Sequence, residues 1–237
     1  MSLNSVSPSS SSGPVYVGIL LAGGAGTRFR ASAGDEHADK LLAPLPDGQP
    51  VVLAAATALR EVAAHVLIVL RPSRPALREA LVQLPGCELI EPMDAARGMG
   101  ASLAAAARHL LARHGDGAAP SHEALAVGNA APPHTALADG SAVPPHGVLV
   151  ALGDMPWIAP DTLRAVCAAG LAHPIVAPAC EGRRGHPVAF AWHLLPELAR
   201  LDGDTGARDL VQRHGVHMLP CDDAGVLRDV DTVADLG

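Results

Sequence analysis

Aromatic residues are scarce in this sequence, whose 237 residues include two Trp, one Tyr and two Phe. Proteins that bind single-stranded nucleic acid stack the bases on aromatic side chains, and their surfaces are usually basic. This chain has 17 Lys and Arg against 24 Asp and Glu, which gives a net charge of −7. We therefore expect an aliphatic core and no nucleic-acid partner.

Long apolar runs are also missing, since none approaches the roughly 20 residues that span a bilayer. Residues 1–13 are rich in serine and have neither the basic nor the apolar region of a signal peptide. The four cysteines are far apart and form no C-x-x-C pair, which favours reduced thiols. These observations predict a cytoplasmic protein without a membrane partner.

Two common phosphate-binding loops are absent as well. The chain contains no Walker A string, in which Gly and four residues precede Gly-Lys-Ser/Thr. The dinucleotide fingerprint G-x-G-x-x-G also fails, because Phe29 occupies the third glycine position counted from Gly24 and Gly26. What the chain has instead is an apolar run over residues 15–21, which leads directly into three glycines and Arg28.

This glycine segment predicts a loop that binds phosphate. Glycine permits a positive φ and lets a ligand approach the backbone closely. Consecutive N–H groups in such a loop, with a helix N-terminus behind them, attract an anion. A tight strand-to-helix turn without a ligand would use the same glycines but would have no need of a guanidinium. We therefore expect Gly23, Gly24 and Gly26 to donate to the phosphates of a nucleotide beside Arg28.

Apolar strands alternate with helical segments along the rest of the chain. Residues 66–70 and 148–152 are typical of buried strands, and residues 51–64 and 101–113 of helices. The other predicted helices are 75–83, 160–169, 194–201 and 207–214, and the other predicted strands are 87–90, 174–177, 188–192 and 216–219. This order predicts an α/β fold with a mostly parallel sheet and helices on both faces. Because ligands bind beyond the carboxyl ends of such strands, the glycine loop and Asp154 are expected to face one cleft.

Residues 114–146 have a different composition, dense in Gly, Pro, Ala and His and without periodicity. We interpret them as a flexible insertion whose removal leaves activity largely unchanged. Their histidines have no regular ligand spacing, so a metal site is the less favoured interpretation. Residues 1–14 are expected to be a disordered tail, which leaves residues 15–237 as a single domain.

A nucleoside triphosphate needs cations for its phosphates and a carboxylate for the Mg²⁺ that it carries. Arg28 and Lys40 supply cations, and Asp154 follows a predicted strand. In Gly-Asp-x-Pro, Asp154 also suits a simple turn, and Asp229 and Asp231 suit a solvated turn near the C-terminus. The residues alone leave both interpretations open.

Five motifs occur in order: L-A-G-G-x-G-T-R with K-L-L, L-G-D-M-P, G-R-R-G-H-P-V, G-D-T-G-A-R and D-V-D-T. Together they resemble the molybdenum-cofactor nucleotidyltransferases, and most closely their cytidylyltransferase-like branch. The resemblance covers nearly the whole chain from residue 15, apart from residues 114–146. It implies a three-layer, Rossmann-like nucleotidyltransferase fold. It also implies Mg²⁺-dependent transfer of a nucleoside monophosphate from CTP or GTP to the phosphate of molybdopterin, with release of pyrophosphate and later delivery to a recipient molybdoenzyme.

The resemblance further implies a role for individual residues. The residues implied to bind the nucleotide and its phosphates are Leu21, Ala22, Gly23, Gly24, Gly26 and Thr27, with Gly98 and Ser102 facing the base. The implied catalytic residues are Arg28, Lys40 and Asp154, the implied Mg²⁺ ligands are Asp154 and Asp231, and the residues implied to line the pterin side are Gly185 and His186. No general base is expected, because the acceptor phosphate is itself a nucleophile and catalysis rests on positioning and charge neutralisation.

Two features depart from the family pattern. Residues 29–39 separate Arg28 from Lys40, where the family has only a few residues. This spacer either forms a lid or displaces Lys40. In addition, Leu-Ala-Gly-Gly is typical of the guanylyltransferase branch, whereas the later motifs favour cytidylyl transfer, so the base stays open.

Three other functions fit parts of the sequence. A non-catalytic protein that delivers the cofactor would keep the glycine loop without needing Asp154 and Asp231. A sugar-phosphate nucleotidyltransferase shares the first motif but not G-H-P. A serine hydrolase would use Ser102, Asp154 and His186 in that order, but Ala104 replaces the second glycine of the nucleophile elbow and no strand precedes it.

Overall fold

The computed structural model describes residues 14–114 and 145–237. Its strands are β1 (Tyr16–Ala22), β2 (His65–Leu70), β3 (Cys87–Ile90), β4 (Gly147–Leu152), β5 (Ile175–Cys180), β6 (Arg183–Arg184), β7 (Val188–Ala191) and β8 (His217–Pro220). Its α-helices are α1 (Thr27–Ala33), α2 (Val51–Arg60), α3 (Pro75–Val82), α4 (Met99–His114), α5 (Pro160–Ala169), α6 (Leu195–Leu198) and α7 (Arg208–His214). Short 3₁₀ helices cover Met93–Arg97, Trp192–Leu194, Ala224–Leu227 and Val233–Leu236.

All of these strands belong to one sheet with the order β3-β2-β1-β4-β7-β5-β6, in which β8 also pairs with β5. The pairs β3–β2, β2–β1, β1–β4 and β5–β8 are parallel. Strand β7 runs antiparallel to β4 and β5, and β6 runs antiparallel to β5. The predicted α/β fold with a mostly parallel sheet is confirmed, and its three antiparallel pairs lie at one end of the sheet.

The central strand β1 shows why helices cover both faces of the sheet. All of its residues are buried, so the two faces of the strand belong to two different cores. Leu20 and Ala22 pack into the core formed with α2 and α5, whereas Ile19 and Leu21 pack into the core formed with α4. Side chains alternate between the faces of a strand, so a continuously apolar strand requires a helix layer on each side.

Most predicted elements are present, with boundaries that shift by a few residues. The helix expected at 51–64 ends at Arg60, and the one expected at 101–113 begins at Met99. Between the predicted strands at 174–177 and 188–192, Arg183–Arg184 form an additional short strand, β6. Glu181 and Gly182, with φ of 51° and 73°, form a tight turn that folds β6 back on β5.

Helix α1 was not predicted, because its polar sequence and two alanines give no clear apolar stripe. Phe29 is the one buried residue of this helix and anchors it to the core. Gly26 and Gly34 flank the helix with positive φ of 64° and 65°, a conformation that glycine adopts without steric cost.

The expected tail at 1–14 and the expected insertion at 114–146 lie outside the described residues, apart from their edges. Of these edges, His114 ends α4, and residues 145–146 lead into β4. In the two described ranges, no helix combines the length and the apolar character that crossing a membrane requires.

Candidate active site

The glycine loop connects β1 to α1 at the carboxyl edge of the sheet. The side chains of Leu21 and Ala22 are buried in the two cores, so only their backbone can face a nucleotide. Gly153 N donates to the carbonyl of Leu21 at 2.9 Å, which joins the loop to the end of β4. Arg30 Nη1 donates to the carbonyl of Ala25 at 2.7 Å. These bonds fix the loop on both sides of Gly23 and Gly24, and Thr27 begins α1 with its side chain exposed.

Lys40 lies between two carboxylates from distant parts of the chain. Its Nζ is 2.6 Å from Asp154 Oδ2 and 3.4 Å from Asp231 Oδ1. The residue is 7% exposed, and its Cε would lie 3.6 Å from a Cβ on Gly24. The long spacer therefore leaves Lys40 beside the glycine loop and does not displace it from Asp154. Arg28 forms an exposed ion pair with the other carboxylate oxygen of Asp231.

The spacer returns to the site through a turn anchored at Asp39. The Asp39 carboxylate forms an ion pair with Arg74 at the start of α3. Its other oxygen accepts a hydrogen bond from Leu41 N at 3.1 Å. Because Asp39 is fixed on both sides, the direction of the next residue, Lys40, is fixed as well.

The pKa of Lys40 is raised above its ordinary value. Burial alone would lower this pKa, because it disfavours the charged ammonium. The charge of Asp154 and its hydrogen bond, followed by those of Asp231, outweigh the effect of burial. Lys40 is thus a permanent cation at neutral pH, placed where the phosphates of a nucleotide would meet the glycine loop.

A short network of backbone bonds positions the D-V-D-T segment. Val230 N donates to the carbonyl of Asp154 at 2.9 Å, which brings the segment against the end of β4. Asp235 Oδ2 accepts from Asp231 N at 3.2 Å and from Thr232 N at 2.6 Å. Asp235 was not predicted from the sequence, although Thr232-x-x-Asp235 has the spacing of a helix-capping box. This acid fixes the backbone that carries Asp231.

The carboxylates fit a magnesium ion that is shared with a substrate. Asp154 and Asp231 both face Lys40, and burial followed by the charges of these two acids raises the pKa of Asp229. Within residues 14–114 and 145–237, no group of three or more His, Cys, Asp or Glu side chains is arranged to hold a metal by itself. Mg²⁺ in proteins is usually held by one or two carboxylates plus substrate phosphates and water. Asp154 and Asp231 match that donor set.

Gly185 and His186 lie on the far side of β4 from the glycine loop. A Cβ on Gly185 would lie 2.3 Å from the carbonyl oxygen of Val226, so no larger residue fits there. His186 N donates to the same carbonyl at 3.0 Å. Burial lowers the pKa of His186 despite the nearby charge of Asp154. The imidazole is therefore neutral at pH 7, and its Nδ1 has no hydrogen-bond partner among the described residues.

Gly98 directly precedes α4, and Ser102 lies in the first turn of this helix. The two residues differ in their surroundings. A Cβ on Gly98 would lie 2.0 Å from Asp204 Oδ1, so Gly98 packs against the loop of the G-D-T-G-A-R motif. Ser102 Oγ donates to the Gly98 carbonyl at 3.0 Å and would lie 3.8 Å from a Cβ on Gly23. Ser102 thus adjoins the glycine loop, whereas Gly98 packs against the loop at 202–206.

The serine hydrolase alternative has no geometric support in the described residues. Ser102 Oγ donates to the carbonyl of Gly98, just before α4, and makes no hydrogen bond with His186. Asp154 is engaged by Lys40, not by a histidine. The residues before α4 form a 3₁₀ helix at Met93–Arg97, where a nucleophile elbow needs a strand.

The sequence pattern of the family described as "MobA-like NTP transferase domain" matches residues 18–218. Among proteins of curated function, no match to the chain was found.

Similar solved structures include Rv0371c from Mycobacterium tuberculosis H37Rv, with 28% identity, a TM-score of 0.64 and coverage of 93% of this chain and 95% of that one. The same protein in complex with manganese has 28% identity, a TM-score of 0.62 and coverage of 94% and 96%. Molybdopterin-guanine dinucleotide biosynthesis protein A from Archaeoglobus fulgidus has 18% identity, a TM-score of 0.57 and coverage of 93% and 94%. At 18% identity, the last comparison supports the fold alone.

Proposed function

Since the chain belongs to the MobA-like NTP transferase family and is therefore a nucleotidyltransferase, we propose that it transfers a nucleoside monophosphate to the phosphate of molybdopterin or the molybdenum cofactor. CTP is the favoured donor and GTP the alternative. The observation that carries the proposal is the position of Lys40 beside Gly24, with its Nζ between Asp154 and Asp231. A cation and two acids at one end of a glycine loop suit a triphosphate with its metal.

In the proposed reaction, an oxygen of the acceptor phosphate attacks the α-phosphorus of the nucleotide. The new P–O bond forms as the bond from the α-phosphorus to the bridging oxygen breaks, and pyrophosphate leaves with the bonding electrons. Lys40 and Arg28 would neutralise the charge that moves onto the leaving group. Asp154 and Asp231 would hold Mg²⁺, which when bound supplies electrostatic stabilisation to the phosphates. The attacking phosphate is already an anion, so the site needs no base.

The proposed acceptor side is the segment around Gly185 and His186. Strand β7, which follows this segment, pairs directly with β4, so the segment and Asp154 lie on neighbouring strands. Within the described residues, Nδ1 of the neutral His186 is buried and makes no hydrogen bond. An unpartnered imidazole nitrogen can accept from an N–H donor, which a pterin ring offers.

Mg²⁺ is the proposed physiological metal, and manganese is a reasonable substitute. The manganese complex of the mycobacterial protein, which is 28% identical, supports the use of a divalent ion. We also propose that the protein acts in the cytoplasm, because its four cysteines are free. A recipient molybdoenzyme would be the further partner.

The test is pyrophosphate release by the full-length protein with each of CTP, GTP, ATP and UTP. Each nucleotide is offered with molybdopterin, with a sugar 1-phosphate and with no acceptor. We expect release with molybdopterin and with CTP or GTP. Release with the sugar phosphate in place of molybdopterin would contradict the proposed acceptor. Tight binding of the molybdenum cofactor without release under any condition would favour a delivery protein.

A further inference from the structure

Arg71 occupies the carboxyl end of β2, and the proposed reaction makes no use of it. Leu70 pairs with Ala22, so the next residues of the two strands, Arg71 and Gly23, lie side by side. A Cβ on Gly23 would lie 3.5 Å from Arg71 Cγ, 3.9 Å from Arg71 Nε and 3.8 Å from Ser102 Oγ. The side chains of Arg71 and Ser102 therefore both lie next to Gly23, the first glycine of the loop.

The guanidinium of Arg71 has a donor without a partner. Its Nε is buried and makes no hydrogen bond within the described part of the chain. Other arginines of the fold pair with acids, as Arg74 does with Asp39 and Arg78 with Glu91. Leaving a buried donor unpaired is unfavourable, and a ligand that accepts from the donor removes that cost.

The two ends of the glycine loop differ in chemistry. Lys40 lies beside Gly24 and binds Asp154 on the β4 side, which makes that end suitable for phosphates and metal. Arg71 lies beside Gly23 on the β2 side, away from these acids. A nucleotide whose phosphates occupy the Lys40 end extends its sugar and base towards Gly23 and Arg71.

We infer that Arg71 binds the base of the nucleotide and selects for bases that present two adjacent hydrogen-bond acceptors. The inference rests on the proposed use of a nucleoside triphosphate. Arginine carries five N–H donors in a planar fork and accepts no hydrogen bond. Its Nε–H and the neighbouring Nη–H suit two acceptors side by side, as in the pairing of arginine with guanine.

This chemistry separates the four nucleotides into two pairs. Cytosine presents O2 beside the unprotonated N3, and guanine presents O6 beside N7, so both bases offer two adjacent acceptors. Adenine places an amino donor beside N7, and uracil places an N–H between its two carbonyl groups. Arg71 therefore favours CTP and GTP over ATP and UTP, the same two nucleotides that the family resemblance leaves open.

The experiment measures equilibrium binding of CTP, GTP, ATP and UTP to the full-length protein in the presence of Mg²⁺. It compares the wild type with Arg71→Gln and Arg71→Lys, and uses Arg78→Gln, an exposed arginine on α3, as the matched control. Inorganic tripolyphosphate serves as a probe that has phosphates but no base. Thermal melting of each variant checks that its fold is intact.

We expect the wild type to bind CTP or GTP roughly 10- to 100-fold more tightly than ATP and UTP, the range that one bidentate contact provides. Both Arg71 variants should lose most of this preference but keep their affinity for tripolyphosphate. The Arg78→Gln variant should bind all four nucleotides as the wild type does. Arg71→Lys keeps the charge but not the fork, so it separates base recognition from simple charge attraction.

An equal loss of affinity for all four nucleotides and for tripolyphosphate would overturn the inference and assign Arg71 to the phosphates. An unchanged preference in both variants would overturn it as well. Failure of the proposed reaction has a different signature. In that case the nucleotide preference would still depend on Arg71, but no pyrophosphate would be released with molybdopterin. This result would contradict the proposed acceptor and would still support the base-binding role of Arg71.

Discussion

Lys40 and Asp154 are 114 positions apart in the sequence, and their side chains meet at 2.6 Å in the structure. The contact joins the end of a long spacer to the end of β4 and lies against the glycine loop. It brings a buried cation and a carboxylate to one point at the carboxyl edge of the sheet. The activity expected of this protein depends on that contact and on the segments that hold it in place.

Asp154→Asn should lower metal-dependent pyrophosphate release by roughly 100-fold or more, the usual effect of removing one group that stabilises transition-state charge. The substitution keeps the size of the side chain but removes the charge needed for Mg²⁺. Asp161→Asn, at an exposed acid on α5, is the matched control and should keep full activity. Steady-state kinetics compares the two variants, and thermal melting checks that both are folded. Full activity in Asp154→Asn would refute the role of Asp154 as a metal ligand.

Removal of divalent metal should abolish pyrophosphate release without unfolding the protein. The described residues offer two carboxylates to the ion and no closed cage, so the metal should bind weakly without nucleotide. Treatment with EDTA followed by addition of Mg²⁺ or Mn²⁺ should restore activity. Calorimetry should detect tighter metal binding when CTP or GTP is present. Activity that survives EDTA would contradict a metal-dependent mechanism.

Lys40→Met should also reduce pyrophosphate release strongly. The change in stability that it causes should be the same at every pH near neutrality. The folded-state pKa of Lys40 is raised, so the stability from its charge is fully present below the unfolded value of about 10.4. That contribution is lost only as the pH rises through the still higher folded-state pKa. The difference in melting temperature between wild type and variant should therefore stay constant from about pH 7 to 9. A difference that shrinks within this range would show that Lys40 loses its proton there.

Gly98→Ala should be more destabilising than Gly34→Ala, although both glycines have positive φ. At Gly34 a Cβ meets nothing within 4 Å, so the cost is backbone strain of about 1 kcal/mol. At Gly98 a Cβ would lie 2.0 Å from Asp204 Oδ1 and 2.6 Å from the Gly203 carbonyl, so the loop at 202–206 must move. Denaturant unfolding measures the two costs. Equal costs would show that this loop is free to move away from α4.

Glu88→Gln should lower the free energy of unfolding at neutral pH but not in acid. Glu88 joins β3 to β2 and α4 through His65 at 3.2 Å, His109 at 2.9 Å and an ion pair with Arg113. Burial alone would raise the Glu88 pKa, but Arg113 and His109 outweigh it and lower the pKa. Its stabilising effect is therefore present above the ordinary value of about 4.3 and is lost as the pH falls through the lower folded-state pKa.

The expected cost of Glu88→Gln at pH 7 is about 1–2 kcal/mol, the range for hydrogen bonds to a charged group that is partly exposed. Unfolding at pH 7 and at about pH 3 gives the comparison, with the exposed Glu79→Gln on α3 as the control. A cost that is the same at both pH values would show that the charge of Glu88 contributes nothing.

The sequence was sufficient for the predictions that rest on local pattern. Continuously apolar strands such as residues 148–152 require helices on both faces, and this periodicity needs no knowledge of distant contacts. The glycine loop was equally visible, because three glycines that follow an apolar strand and precede Arg28 are typical of a loop that binds an anion. The position of Asp154 at a strand end followed from the same pattern.

The tertiary structure decided what depends on contacts between distant segments. Whether the spacer would displace Lys40 was open in the sequence, because the path of a polar segment depends on anchors such as Phe29 and Asp39 that lie against other elements. Arg71 is one of 17 Lys and Arg residues in the sequence. Only the pairing of β2 with β1 places it beside Gly23, where its Nε has no partner among the described residues. A residue type and its spacing set local geometry, but the free energy of a buried charge or donor depends on which partners the fold brings to it.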